Sequence, residues 1–183
     1  MQRDLVERAM AGDREAFAEL QRASIDRLYT IARLILGDSD RAQDATQEAL
    51  IAAWRALKGL RDPDKFDPWL RRLLVHACYE EARQQKRRAS VEGQVRPIDT
   101  ESADPARTTA DRDELDRALE ALEPQQRALI VLHYYLGLPM HETGLILGLP
   151  VGTVKSRLNR TKQQMRATLE AGARLPLPEG GAP

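Results

Sequence analysis

The sequence predicts an all-α protein of two small helical modules, an N-terminal helical bundle and a C-terminal helix-turn-helix bundle, joined by a flexible linker. Three observations carry this. Apolar residues recur at three- and four-residue steps along most of the chain, and no run alternates as a strand would. Residues 89–110, ASVEGQVRPIDTESADPARTTA, break that periodicity and collect Ser, Thr, Asp, Gly and Pro, a composition that cannot bury a core. Beyond them, HETGLILGLPVGTVKSRLNRTKQQM offers a short helix, a tight Gly-containing turn and a second helix with a polar outer side. The expected boundaries are 1–88, 89–110, 111–172 and a short Pro/Gly-rich tail, 173–183.

Each element has a local cause. Asp13 can cap a long helix in which Phe17, Leu20, Leu28, Ile31 and Ile35 share a side, and Gly37 ends it. Asp40 then opens RAQDATQEALIAAWRAL, with Leu50, Ile51, Trp54 and Leu57 as its apolar stripe. Asp67-Pro68 reads as a cap followed by a first-turn proline. The helix it starts turns Trp69, Leu70, Leu73, Leu74 and Ala77 inward and runs out into RQQKRR. After the linker, Leu115, Leu119 and Leu122 mark a helix that stops before Pro124, which restarts one through QQRALIVLHYYL to Gly137. In the helix-turn-helix, Gly148 permits the left-handed reversal and Pro150 is pre-set for a helix start. Val154, Leu158 and Met165 are expected to pack back on Leu132, Leu145 and Ile146.

The 28 basic and 28 acidic residues of this 183-residue chain balance, so net charge selects no partner. Their distribution is informative. Residues 71–88 hold six basic and two acidic side chains, a net +4, and residues 151–174 hold six and one, a net +5. Residues 111–142 hold three basic and seven acidic ones, a net −4. Two local cationic patches on a neutral chain are the electrostatic footprint of nucleic-acid contact. On the last helix Thr153, Lys155, Ser156, Arg157, Asn159 and Arg160 are left on or near the outside. Lys and Arg reach phosphates or guanine edges, Asn pairs with adenine, and Ser or Thr bonds either.

Cys78 is the only cysteine, so no intrachain disulfide can form and a reducing, cytoplasmic compartment is expected. No stretch approaches the roughly 20 apolar residues that cross a bilayer, so no membrane insertion is expected. His76, His133, His141 and Cys78 show no metal-ligand spacing, and no phosphate loop or nucleophile triad occurs. Neither catalysis, a metal nor a cofactor is expected of this chain.

The residues at both ends resemble one family. ETGLILGLPVGTVKSRLNRTKQQMRATL, preceded by LEPQQRALIVLHYYLGLP, resembles the C-terminal promoter-reading module of bacterial sigma factors of the extracytoplasmic-function (ECF) type. DATQEALIAAWRAL resembles the family's pattern of Asp, Gln-Glu, a bulky apolar residue and Trp, and FDPWLRRLLVHACYEEARQQKRR resembles its −10 helix. The resemblance implies binding to core RNA polymerase and to promoter DNA, the first module reading the −10 element and the second the −35 element. It places Asp44, Gln47, Glu48, Leu50 and Trp54 at polymerase-contacting positions. Independently, Asp44, Gln47, Glu48 and Ile51 are spaced to share one helix face.

On the −10 side, Arg71, Arg72, Arg83, Lys86, Arg87 and Arg88 can neutralise phosphates, and arginines can stack on unpaired bases. His76 stands where the family often has Asn, and Glu80 replaces a frequent Asp, which bears on −10 preference. Thr143-Gly144 replaces a bulky residue and Ala; Gly144 either weakens its helix by about 0.5–1 kcal/mol or permits closer packing. The resemblance leaves open whether an anti-sigma factor is a further partner.

A 22-residue flexible linker has a span of about 25 Å at rest and at most about 75 Å fully extended. Sites nearly two DNA turns apart, at about 34–36 Å per turn, would stretch it well beyond rest. Two small modules also offer limited contact area, so weak promoter binding by the free chain is expected. The rival reading, a helix-turn-helix regulator acting without polymerase, leaves the Asp44–Trp54 helix unexplained.

Overall fold

The computed structural model describes residues 2–92 and 109–173. Among them every regular element is helical: α1 (Gln2–Met10), α2 (Arg14–Leu36), α3 (Ser39–Ala56), α4 (Phe66–Glu92), α5 (Thr109–Glu120), α6 (Pro124–Ile130), α7 (Met140–Leu147) and α8 (Val151–Ala173). The segment expected to be a linker is helical at its two ends, since α4 runs on to Glu92 and α5 begins at Thr109. Its middle, and the tail after residue 173, lie outside the described residues.

The expected start and stop signals act where the backbone has orphan groups. Asp13 accepts hydrogen bonds from the Glu15 and Ala16 amides at 2.9 and 3.1 Å. Those amides, with Arg8 beside them, hold its carboxyl below the usual range. Gly37, at φ 69°, ends α2 by donating its N–H to the Arg33 carbonyl at 2.7 Å. Two starts differ from expectation. Asp38, not Asp40, caps α3, accepting from the Arg41 amide at 2.9 Å. Asp67 lies within α4 rather than capping it, because Asp62 and Pro63 open a 3-10 turn over residues 63–65 that runs straight into Phe66. Pro68 still falls in the first turn, where its missing N–H removes no helical bond.

α1 was not expected. Charged residues outnumber apolar ones at its start, yet Val6 and Ala9 are buried against the bundle. The first module is then α1 to α4, with Leu28, Ile31, Ile35, Leu57 and Leu74 at its centre.

The second module does not stand apart. Ala128, Val131, Leu132 and Ile146 belong to the same continuous apolar core as α2, α3 and α4, with α6 packed on α2 and α4, and α7 on α4. Among the described residues, Leu129, Val154 and Leu158 form a smaller core of their own, bordered by Ile130, Met140, Leu147 and Leu149. Val154 and Leu158 therefore do not rest on Leu132 and Leu145 as expected. Leu132 and Ile146 face the first module, and Leu145 is 70% exposed. After Ile130 the helix widens into a π turn over Val131–Tyr135, in which Leu136 donates to the Val131 carbonyl at 2.9 Å. The His133 Nδ1–H donates to the Leu138 carbonyl at 2.8 Å, since that oxygen can only accept.

Cys78 is wholly buried, and burial pushes its thiol up to about 12. The native chain should consume almost no thiol reagent at pH 8, and one equivalent per chain once unfolded. Fast titration of the native chain would contradict this placement.

Candidate polymerase and nucleic-acid interfaces

Three helix faces carry the candidate residues. On α3, burial of Ala42, Ala45, Thr46, Ala49 and Ala53 leaves Asp44, Gln47, Glu48 and Ile51 exposed on the other side. Ile51 is 44% and Trp54 39% exposed, and the Trp54 ring lies 4.9 Å from that of Phe17 on α2, tilted by 54°. The face thus presents two carboxylates and an amide beside apolar area. Leu50 is 6% exposed, so its side chain holds α3 in the core and is absent from the surface.

On α4 the cations divide into two stripes. Arg72, His76, Glu80, Arg83 and Arg87, at steps of four, four, three and four, are all exposed along one side. Glu80 accepts from Arg83 at 2.6 Å, which neutralises part of that side. Arg71 and Lys86 lie one residue earlier in the same rhythm, on a stripe with Val75, Tyr79 and Ala82. This stripe meets the second module. The Arg71 side chain is only 12% exposed and sits 3.8 Å from Asp67. Burial and the neighbouring Arg27 lower its proton affinity, while Asp67 and Glu142 oppose them. Lys86 Nζ donates to Glu123 Oε2 at 2.6 Å. Tyr79 is half-buried, and its hydroxyl is pushed up to about 12 by burial and by Cys78, with Arg157 pulling the other way.

On α8 the reversal at Gly148 (φ 66°) and the start at Pro150, whose carbonyl accepts from Thr153 and Val154, aim the helix outward. Val154, Leu158 and Thr161 point into the module. Lys155, Ser156, Arg157, Asn159 and Arg160 are exposed, with Thr153 half-buried at the edge. Ser156 donates to the Thr153 carbonyl at 3.1 Å, and Thr161 to the Arg157 carbonyl at 3.0 Å. Among the described residues, no ion pair occupies Lys155, Arg157 or Arg160.

Gly144 makes this geometry possible. A Cβ there would lie 2.6 Å from the Leu149 carbonyl oxygen, so the missing methyl lets the turn close over α7. Of the two expected effects of Gly144, closer packing therefore decides. Gly144→Ala should destabilise the chain by about 1–3 kcal/mol through overpacking, despite alanine's better helix propensity. Thermal denaturation reads this, and a variant as stable as the parent would refute it.

Two contributors escaped sequence reasoning. Arg127 is 6% exposed, and its guanidinium donates to the carbonyls of Leu122 (3.1 Å), Glu120 (3.2 Å) and Ile35 (3.5 Å), the last across the two modules. Its signal was a lone arginine inside the apolar run of α6. Tyr79 gave none, because a tyrosine at helical spacing reads as ordinary core. Among the described residues, no cluster of His, Cys, Asp and Glu is placed to hold a metal, and no helix is long and apolar enough to cross a membrane.

Comparison with known proteins covers both modules. Residues 20–88 match the family model for Sigma-70 region 2, and residues 112–165 that for Sigma-70, region 4. The ECF RNA polymerase sigma factor SigM of Mycobacterium tuberculosis is 32% identical over 167 residues, covering 91% of this chain and 83% of its own. The RNA polymerase sigma-E factor of Streptomyces avermitilis is 33% identical over 155 residues, covering 85% and 86%. The ECF sigma factor SigE of Mycolicibacterium smegmatis is 33% identical over 156 residues, of which the match spans 81% of this chain and 59% of that relative's length.

Among solved structures, CnrH in complex with the cytosolic domain of CnrY superposes with a TM-score of 0.67 at 26% identity, over 93% of this chain and 97% of that one. The sigma factor RpoE of Bartonella quintana, solved with the anti-sigma factor NepR, gives 0.71 at 23% identity over 84% and 96%, a likeness of fold. With matches to both sigma regions in order and relatives above 30% identity along most of its length, the chain belongs to the ECF family of RNA polymerase sigma factors.

Proposed function

We propose that this protein binds core RNA polymerase and directs it to promoters, the first module (1–88) reading the −10 element and the second (111–172) the −35 element. It acts as an initiation factor in the cytoplasm, and catalysis belongs to the polymerase. The observation that carries this is the coexistence, in one chain, of an exposed acid-and-amide face with apolar area on α3 and outward cationic faces on α4 and α8. Asp44, Gln47, Glu48, Ile51 and Trp54 form the polymerase face, with Leu50 supporting it from beneath. Arg72, His76, Glu80, Arg83 and Arg87 meet the −10 strand, joined by Arg71 and Lys86. Thr153, Lys155, Ser156, Arg157, Asn159 and Arg160 enter the −35 major groove. The complex of the structural neighbour RpoE with the anti-sigma factor NepR supports an anti-sigma factor as a further partner.

Transcription in vitro tests the reading. Core enzyme plus this protein should give promoter-dependent RNA from some member of a template library, and none from core alone. Lys155→Ala with Arg157→Ala should lower that yield about 30-fold or more, each lost base contact costing about 1–3 kcal/mol. No RNA from any template would refute the reading.

A further inference from the structure

A cavity of about 290 Å³ opens between α1, α2 and the first turns of α4, and the function above makes no use of it. All of its lining belongs to the first module. Leu20, Leu28, Ile31 and Leu70, all buried, form an apolar wall with half-buried Leu5. Gln2, Arg27, Asp67 and Arg71 border the same space and carry its polar groups. Here one carboxylate faces two guanidiniums, and one of its oxygens already accepts from Gln2 Nε2 at 2.9 Å. The other Asp67 oxygen lies 3.9 Å from Arg27 and 3.8 Å from Arg71, beyond hydrogen-bond range of either. Glu142 of α7 acts on Arg71 as well, but from beyond ion-pair distance. Among the described residues neither guanidinium has a hydrogen bond, although the Arg71 side chain is only 12% exposed. A guanidinium so far out of water ordinarily takes a carboxylate in its fork.

We propose that this cavity is a binding site for a small amphiphilic monocarboxylate, its head taken by Arg27 and Arg71 and its apolar body laid along the leucine wall. The charge fits a single anion, since two guanidiniums against Asp67 leave a net +1 at the mouth. The size fits too. At roughly 30 Å³ for each water-sized group, the cavity takes about ten non-hydrogen atoms, the size of octanoate. A wholly apolar guest would leave the Arg71 donors unanswered. A bare inorganic anion would leave the leucine wall against water. An apolar pocket with a few polar groups that fix orientation is the usual form of a small-molecule site. The guest touches three helices at once, so it ties α1 to the bundle, where exposed pairs such as Arg3 with Asp64 otherwise hold it.

Calorimetric titration of the full chain with octanoate, kept below the concentration at which it forms micelles, tests this. Octanoate should bind saturably, a single molecule per chain, and raise the melting temperature as it does so. Octanol and octylammonium share its chain but not its charge, and each should bind at least about 10-fold more weakly. Acetate, the head without the body, should do the same. Arg71→Gln and Arg27→Gln should each weaken octanoate binding about 10-fold or more. Arg27 is half-exposed, so its loss is read on a folded chain even where that of Arg71 is not. Ala23→Met keeps every charge and fills the mouth from an exposed position on α2. It should abolish binding while the circular dichroism stays that of the parent. Absence of saturable binding, octanol binding as tightly as octanoate, or octanoate affinity unchanged in the Arg27 or the Ala23 variant overturns the proposal.

Discussion

Replacing Gln47 and Glu48 together with alanine should lower affinity for core RNA polymerase about 10- to 100-fold, each truncation costing about 0.7–1.4 kcal/mol. Both side chains project from α3 into solvent, and among the described residues neither has a hydrogen bond or ion pair within the chain. Their loss therefore leaves helix content and melting temperature unchanged while removing polar groups beside Ile51 and Trp54. Trp54→Ala would not separate binding from folding so cleanly, because its ring also packs on Phe17, a contact worth about 0.5–1.5 kcal/mol beyond burial. Competition with a labelled parent for core enzyme gives the affinity, and circular dichroism checks the fold. Equal competition by the double variant would remove α3 from the interface.

Leu158→Ala should cost about 2–5 kcal/mol, a loss of buried methyl groups plus the cavity they leave. Leu158 is 2% exposed and, among the described residues, shares with Leu129 and Val154 the small core that seats α8. So small a cluster has few neighbours able to close the gap. The expected result is selective: α8 loosens first, −35-dependent transcription falls, and the first module keeps its own large core. Hydrogen exchange should show faster exchange in α8 than in α3. A uniform rise across both helices would mean that the two modules melt as one unit.

Most helices were legible because their apolar residues repeat every three or four positions and their ends carry Asp, Gly or Pro. α1 was not, since Arg3, Asp4, Glu7 and Arg8 dominate a nine-residue element whose burial depends on tertiary contact. Periodicity places Leu50 and Ile51 on one stripe, yet one residue, or about 100° of helix, separates core from surface. The same one-residue offset splits Arg71 and Lys86 from Arg72 and Arg87. Ala128, Val131, Leu132 and Ile146 look like residues of a private core, and nothing local says that they close onto another module. The opposed charges of residues 71–88 and 111–142 were visible, but a charge count carries no distance.

The alternation along α8 has a practical consequence. Val154, Leu158 and Thr161 anchor the helix, while Lys155, Ser156, Asn159 and Arg160 are exposed, and among the described residues the side-chain bond they make is that of Ser156 to the Thr153 carbonyl of the same helix. Recognition and architecture are written in separate letters of the same short text. A library varied at those four outward positions should yield descendants with new operator preferences on an unaltered scaffold, a route to orthogonal genetic circuits from a single parent.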